Sequence, residues 1–263
     1  MEVTENISHF DDKPIRGFIT NIGKYNEGDL IGEWHKFPTT PEALAGVFER
    51  IGIDCVNYEE WFITDYETVI DGIDLNEYDD LDNVNYLAVK LEEMSKCDLE
   101  KLEAVLDYYD GDMIAEIINL TEDNNLDCFD VYSDVHSEED LGTYMIEESG
   151  MYDTKAMGEL AQYIDYESLG RDVYLNERSE FTDSGYVRQT SDISKVFDNS
   201  DVPEEYQIVN KARKIVLEKA REKAKTPKSI NARIEADRKA KKAESKKPAP
   251  AKEKSKTQKE IDL

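Results

Sequence analysis

The stretch "GFITNIGKYNEGDLIGEWHKF", residues 17–37, decides how the N-terminal part of this chain folds. Two β-prone pieces, about 18–22 and 30–37, flank "GKYNEG". The Gly and Asn residues of that hexapeptide supply turn conformations, so the spacing predicts a β-hairpin. "TTPEALAGVFERIG" then predicts a helix, with Thr40 as N-cap, Pro41 at the first position and Gly52 as a stop. "EEWFITDYE" reads as a further strand. Residues 17–79 are therefore expected to form a small α+β unit.

Outward from there the pattern turns helical, over 80–122. Leu81, Val84, Leu87 and Leu91 share one face of "LDNVNYLAVKLEEM", and Leu99, Leu102, Val105 and Leu106 share one face of the next segment. "DMIAEIINL" repeats the theme. A second α+β unit is expected at 123–190. It would hold a strand in "LDCFDVYSDV", a helix from Ser137 to Gly150 and a short helix in "KAMGELAQYIDY", with strands near 173–175 and 185–187. Residues 1–16 are a leader, and 191–263 form a basic tail. In the tail Ile208, Val209, Ala212, Ile215 and Val216 line one side of a helix, and the last stretch, "KKAESKKPAPAKEKSKTQKEIDL", is too poor in apolar residues to fold. The fold class read from the sequence is thus α+β: two α+β units around a helical middle, then a tail partly helical and partly disordered.

Charge is the feature that stands out. Residues 1–210 carry 13 Lys and Arg against 52 Asp and Glu, whereas 211–263 carry 19 against 8. Such a body will not bind nucleic acid directly by counterion release, and should be drawn to basic partners instead. Fifteen Tyr, eight Phe and two Trp argue against simple acidic disorder. The N-terminus lacks the charge and apolar run of a signal peptide, no stretch is long enough to span a membrane, and three scattered cysteines suit a reducing cytoplasm. The cysteines, Cys55, Cys97 and Cys128, read as core residues.

Catalytic and metal chemistry find little support. With 60 carboxylates, any acid pair can be drawn and none stands out. His9, His35 and His136 occupy unrelated contexts, with no ligand spacing for zinc, and His35 beside Trp34 reads as a strand residue. A calcium loop starting at Asp74 would place Tyr78 and Asp79 where an oxygen ligand and Gly are required. No phosphate-cradling glycine loop occurs. The expectation is a non-enzymatic protein with neither cofactor nor metal.

The layout of charge suggests a different use. Residues 51–89 hold 11 Asp and Glu, and residues 102–154 hold 16, with no Lys or Arg in either run. A solvated face normally mixes signs. Duplex DNA carries two negative charges per base pair, so a body of net charge −39 matches about 20 base pairs. The carboxylates taken as this surface are Asp65, Glu67, Asp71, Asp74, Glu77, Asp79, Asp80, Asp82, Glu92, Glu103, Asp107, Glu116, Glu138, Glu139 and Asp140.

Three segments, "NIGKYNEGDLIGEW" (21–34), "ITDYE" (63–67) and "YIDYESLGRDV" (163–173), resemble in order and spacing those of ArdA-type antirestriction proteins, which conjugative plasmids and transposons carry. The resemblance runs through about 17–190. It implies an elongated α+β protein that dimerises into the shape of bent duplex DNA and occupies the DNA-binding groove of type I restriction–modification enzymes, blocking restriction and modification. The matching positions are Asn21, Gly23, Lys24, Tyr25, Asn26, Gly28, Gly32, Trp34, Tyr163, Asp165, Tyr166, Gly170, Arg171 and Asp172. They read as fold-keeping residues: glycines at turns, aromatics in packing, Arg171 on a carboxylate. The basic tail falls outside the resemblance; folding back on the body, a tether to DNA, solubility and a coiled, partner-binding helix are its open readings, with transient self-association the favoured one. The rival reading of the whole chain is an acidic chaperone or scaffold for basic, nucleic-acid-binding proteins.

Overall fold

The computed structural model describes residues 13–109, 113–122, 124–199 and 201–225. The chain divides into a unit 1–217 and a unit 218–263, and of the second only the end of the last helix is described. The leader before Lys13 and the low-complexity stretch after Lys225 lie outside the described residues.

Strand β1 (Ile15–Asn21) buries Ile15 and Ile19 completely and ends on a buried asparagine. The expected hairpin turn is instead a short helix, α1 (Ile22–Glu27). Asn21 causes the difference, because its Oδ1 accepts the Lys24 N–H at 3.0 Å and so caps a helix rather than opening a turn. Gly28 closes α1 in the left-handed region, φ +92°, where a side chain would be strained. β2 (Gly32–Phe37) still pairs antiparallel with β1, from Ile15 opposite Phe37 to Thr20 opposite Gly32. α2 (Pro41–Arg50) begins as expected, with Thr40 Oγ1 accepting the Ala43 N–H. β3 (Trp61–Thr68) completes a three-stranded antiparallel sheet in the order β2-β1-β3.

The three middle helices form as the apolar spacing requires: α3 (Leu81–Glu93), α4 (Lys96–Tyr108) and α5 (Ile114–Leu120). Asp80 caps α3 and Ser95 caps α4. Cys97 is exposed, correcting its assignment to the core, since two helical positions before Leu99 it faces away from the buried stripe. Cys55 and Cys128 are half-buried against the core.

A single turn of tighter helix, Asn125–Cys128, leads into β4 (Phe129–Tyr132). Ser137 caps α6 (Glu138–Thr143), which widens into a π-helical turn over Tyr144–Glu148. The expected short helix is split into α7 (Thr154–Met157) and a 3-10 stretch, Gly158–Tyr163. Residues 173–175, expected as a strand, belong to α8 (Tyr166–Asn176), which Asp165 caps. β5 (Ser179–Thr182), not anticipated, and β6 (Gly185–Gln189) finish a second antiparallel sheet in the order β4-β6-β5.

The composition shift at Ser191 does not end the packed structure. Residues 192–199 and 201–208 cross the middle helices without regular ladder pairing, and α9 (Val209–Lys225) follows. Val202, Ile208, Val209, Ala212 and Val216 are buried in the same core as Ile15, Leu44, Leu87 and Phe129. Burying one aliphatic side chain contributes roughly 1.5–3 kcal/mol, which holds this part of the predicted tail against the core of unit 1–217. A smaller cluster gathers Val135, Leu141, Met145 and Tyr186.

Candidate functional site

The acidic stretch 69–80 shows how carboxylates are held on a folded surface. Ile70, Ile73 and Leu75 are buried, and Leu81 follows them into the core. Between these pins Asp71, Asp74, Glu77 and Asp80 are exposed, as is the ring of Tyr78. Short local bonds fix several of them. Tyr66 donates its hydroxyl to Asp74 at 2.8 Å, and Asp79 accepts the Asn76 N–H at 2.8 Å. Burial of Asp79 raises its carboxyl pKa above the ordinary value.

The fifteen carboxylates proposed from sequence fall into two groups. Asp65, Asp71, Asp74, Glu77, Asp80, Asp107, Glu139 and Asp140 are exposed and meet no Lys or Arg among the described residues. Asp140 is held ionised by the Ser137 hydroxyl and the His136 N–H, which draw its carboxyl below the usual range. The others are engaged or half-buried. Glu67 pairs with Arg16 at 2.6 Å, Glu92 with Lys13 at 2.7 Å, Glu116 with Lys195 at 3.2 Å and Glu138 with Arg171 at 2.7 Å. Glu103 is half-buried on α4. Asp82, also half-buried, turns inward to accept the N–H groups of Ile208 and Val209 at the start of α9. Sequence reasoning could not foresee that last bond, because its partner lies 126 residues away.

The positions carried by resemblance sit mostly in the framework. Asn21 is fully buried, and besides capping α1 it donates to the Ile51 carbonyl at 3.1 Å, joining the end of β1 to the end of α2. Replacing Asn21 by Ala strips a cap and leaves a buried carbonyl unpaired, and is expected to cost about 2–3 kcal/mol in a denaturant titration. Lys24 pairs with Glu27 at 2.6 Å and lies over the Tyr58 ring, and Tyr58 donates to the same Glu27. Those two bonds hold the Glu27 carboxyl below its ordinary pKa. Trp34 stands edge-on to Phe18 with the Arg16 guanidinium over its face. Tyr25 reaches Phe62 edge-on while half its surface stays open. Gly23 and Gly32 sit in α1 and β2, and Asn26 and Asp172 face solvent.

At the other end Asp165 accepts the Ser168 N–H and hydroxyl, and both bonds lower its carboxyl pKa. Tyr166 donates to Glu147 at 3.0 Å. Arg171 reaches both Glu138 and Glu167, at 2.7 and 2.8 Å, as the pairing expectation requires. Gly170 is not at a turn. It lies where α8 crosses α6, and a Cβ there would fall 1.7 Å from the Glu138 carbonyl oxygen. Tyr163 is 77% exposed and packs against nothing in the core, against the expectation for the aromatics.

His35, half-buried on β2, shares a 2.9 Å hydrogen bond with Thr39 and stands edge-on to Phe37, as fits a strand residue. Among the described residues no group of three or more His, Cys, Asp or Glu is arranged to hold a metal ion, and no helix is long and apolar enough to cross a membrane.

The profile of the antirestriction protein ArdA matches residues 18–188. The chain belongs to the ArdA antirestriction family. No protein of curated function matches the chain. The ArdA match runs from within β1 to within β6 and takes in α1 to α8, including every signature position placed above, and it stops before residues 192–217 and the basic tail. Membership implies antirestriction activity and interaction with restriction enzymes.

Proposed function

We propose that this ArdA-family protein is a non-enzymatic DNA mimic that occupies the DNA-binding groove of type I restriction–modification complexes in the cytoplasm. It would act as a dimer, with 17–79, 80–122 and 123–190 as successive parts of each protomer. The observation that carries the reading is the set of eight exposed carboxylates that meet no Lys or Arg among the described residues, mounted on segments that buried side chains hold in place. A fixed array of one sign is steered into a basic groove and loses little freedom on arrival. The cations of the acidic body do not disperse this charge evenly. Arg50, Arg171 and Arg188 each sit on one or two carboxylates, and none of them reaches any of the eight.

Competition with duplex DNA for a purified type I complex tests the reading. The protein is expected to displace DNA at low salt and to depress restriction and methylation together. Its inhibition constant should weaken at least about tenfold between roughly 50 and 300 mM salt, as screening removes the long-range attraction. Absence of competition at low salt would refute the proposal. Equal binding to unrelated basic proteins would favour an acidic scaffold for nucleic-acid-binding factors instead.

A further inference from the structure

Residues 192–217 lie beyond the family match, yet they are held by residues within it. The hold is chiefly on backbone. Asn119, buried on α5, accepts the N–H groups of Val196 and Phe197 at 2.8 and 2.9 Å and donates to the Phe197 carbonyl at 2.9 Å. Asn125 accepts the Ser194 N–H and donates to the Ser194 carbonyl, both at 2.8 Å, the two-bond exchange that a residue in a β-ladder would make. Asn85, buried on α3, donates to the Tyr206 carbonyl at 2.9 Å. Asp82 receives the first two N–H groups of the helical part, which no residue of α9 itself can satisfy.

Side chains supply the remaining recognition. Tyr86 packs between Phe197 and Tyr206, with ring centroids 5.5 and 5.2 Å away. Val202 and Ile208 are buried beside them. The charges also match: Lys195 meets Glu116, and Arg213 meets Glu59. Amide side chains that read main chain, flanked by pockets for a few anchors, are how extended peptides are bound by other proteins.

We infer that the face formed by α3, α5 and the turn at Asn125 is a peptide-binding site, and that its ligand is this chain's own C-terminal extension, residues 192–217. The ligand class is an extended segment with aromatic anchors at the positions of Phe197 and Tyr206, running into a basic amphipathic helix. The segment packs onto this face from outside the family match, which ends at residue 188.

The test uses the full chain with a protease recognition sequence inserted after the exposed Ser191. After cleavage at micromolar protein, the C-terminal fragment is expected to co-elute with the body on size exclusion. An excess of synthetic peptide 192–217 should then displace it while the circular dichroism of the body is unchanged. The double substitution Phe197→Ala and Tyr206→Ala, both in the ligand, should weaken retention about 100-fold. Asn119→Ala should do the same from the other side, although Asn119 also bonds the Ala115 carbonyl, so the ligand variant decides. Immediate separation of the fragment from a folded body would overturn the inference. So would a body that unfolds when the fragment leaves, or a fragment that never exchanges.

Discussion

Replacing Gly170 by alanine is expected to destabilise this protein by about 3 kcal/mol or more, a large share of the margin of an ordinary domain. The helices α6 and α8 touch backbone to backbone at this point. A Cβ on Gly170 would lie 1.7 Å from the Glu138 carbonyl oxygen and 2.8 Å from the Gly142 nitrogen, and one on Gly142 would lie 1.9 Å from the Tyr166 carbonyl oxygen. Main-chain atoms cannot swing aside as a side chain can, so the helices must separate. Their separation would open the cluster of Leu141, Met145 and Tyr186 and pull Arg171 away from Glu138. Gly46→Ala in α2 is the matched control. Its Cβ would meet only the end of the Arg50 side chain, at 3.1 Å, and alanine should gain up to about 1 kcal/mol of helix propensity there. Thermal unfolding of the two variants beside the parent protein measures both. A Gly170→Ala protein with an unaltered midpoint would show that the crossing is looser than drawn.

Neutralising the eight exposed carboxylates together, Asp to Asn and Glu to Gln, is expected to reduce competition with DNA by roughly two orders of magnitude, while any one of them alone changes it about twofold. The argument is one of additivity. Asp65, Asp71, Asp74, Glu77, Asp80, Asp107, Glu139 and Asp140 lie on several different elements and share no cation among the described residues, so distant contributions should multiply. Substituting Glu67, Glu92, Glu116 and Glu138 instead should weaken competition less, since each already faces Lys or Arg, and should show its cost in stability. Inhibition constants for the single, the eightfold and the paired-acid variants, read at one salt concentration, distinguish the cases. Loss of activity at a single carboxylate would argue for a specific contact and against a distributed one.

Much of the architecture was legible because it is written in local terms. Thr40 and Pro41 announce α2, and the spacing of Leu81, Val84, Leu87 and Leu91 announces α3. What escaped was decided at a distance. α1 hides in "GKYNEG" because Asn21 acts as a cap only when its amide is also anchored on Ile51. α8 is hard to read around 173–175 because Val173 and Tyr174 favour strands, while the close crossing at Gly170 lies within a continuous helix. Residues 192–217 look like a solvated tail from composition alone. The available signal was the asparagines within apolar helical stripes, Asn83, Asn85 and Asn119, for which a buried partner was owed. For the candidate surface, counting acids picks out fifteen positions, of which eight are exposed and meet no Lys or Arg among the described residues. It could not separate those facing solvent from Asp82, whose carboxylate serves a helix end.

The apolar pins under residues 69–80 have a consequence for how such a protein can change over time. Ile70, Ile73 and Leu75 fix where the backbone runs, and the acids between them point outward. Aspartate and glutamate can therefore trade places, or migrate to adjoining outward positions, without disturbing the anchorage. Two descendants could drift far apart in the letters of this loop and still present an equivalent field. Kinship among them would be written in the inward-facing positions.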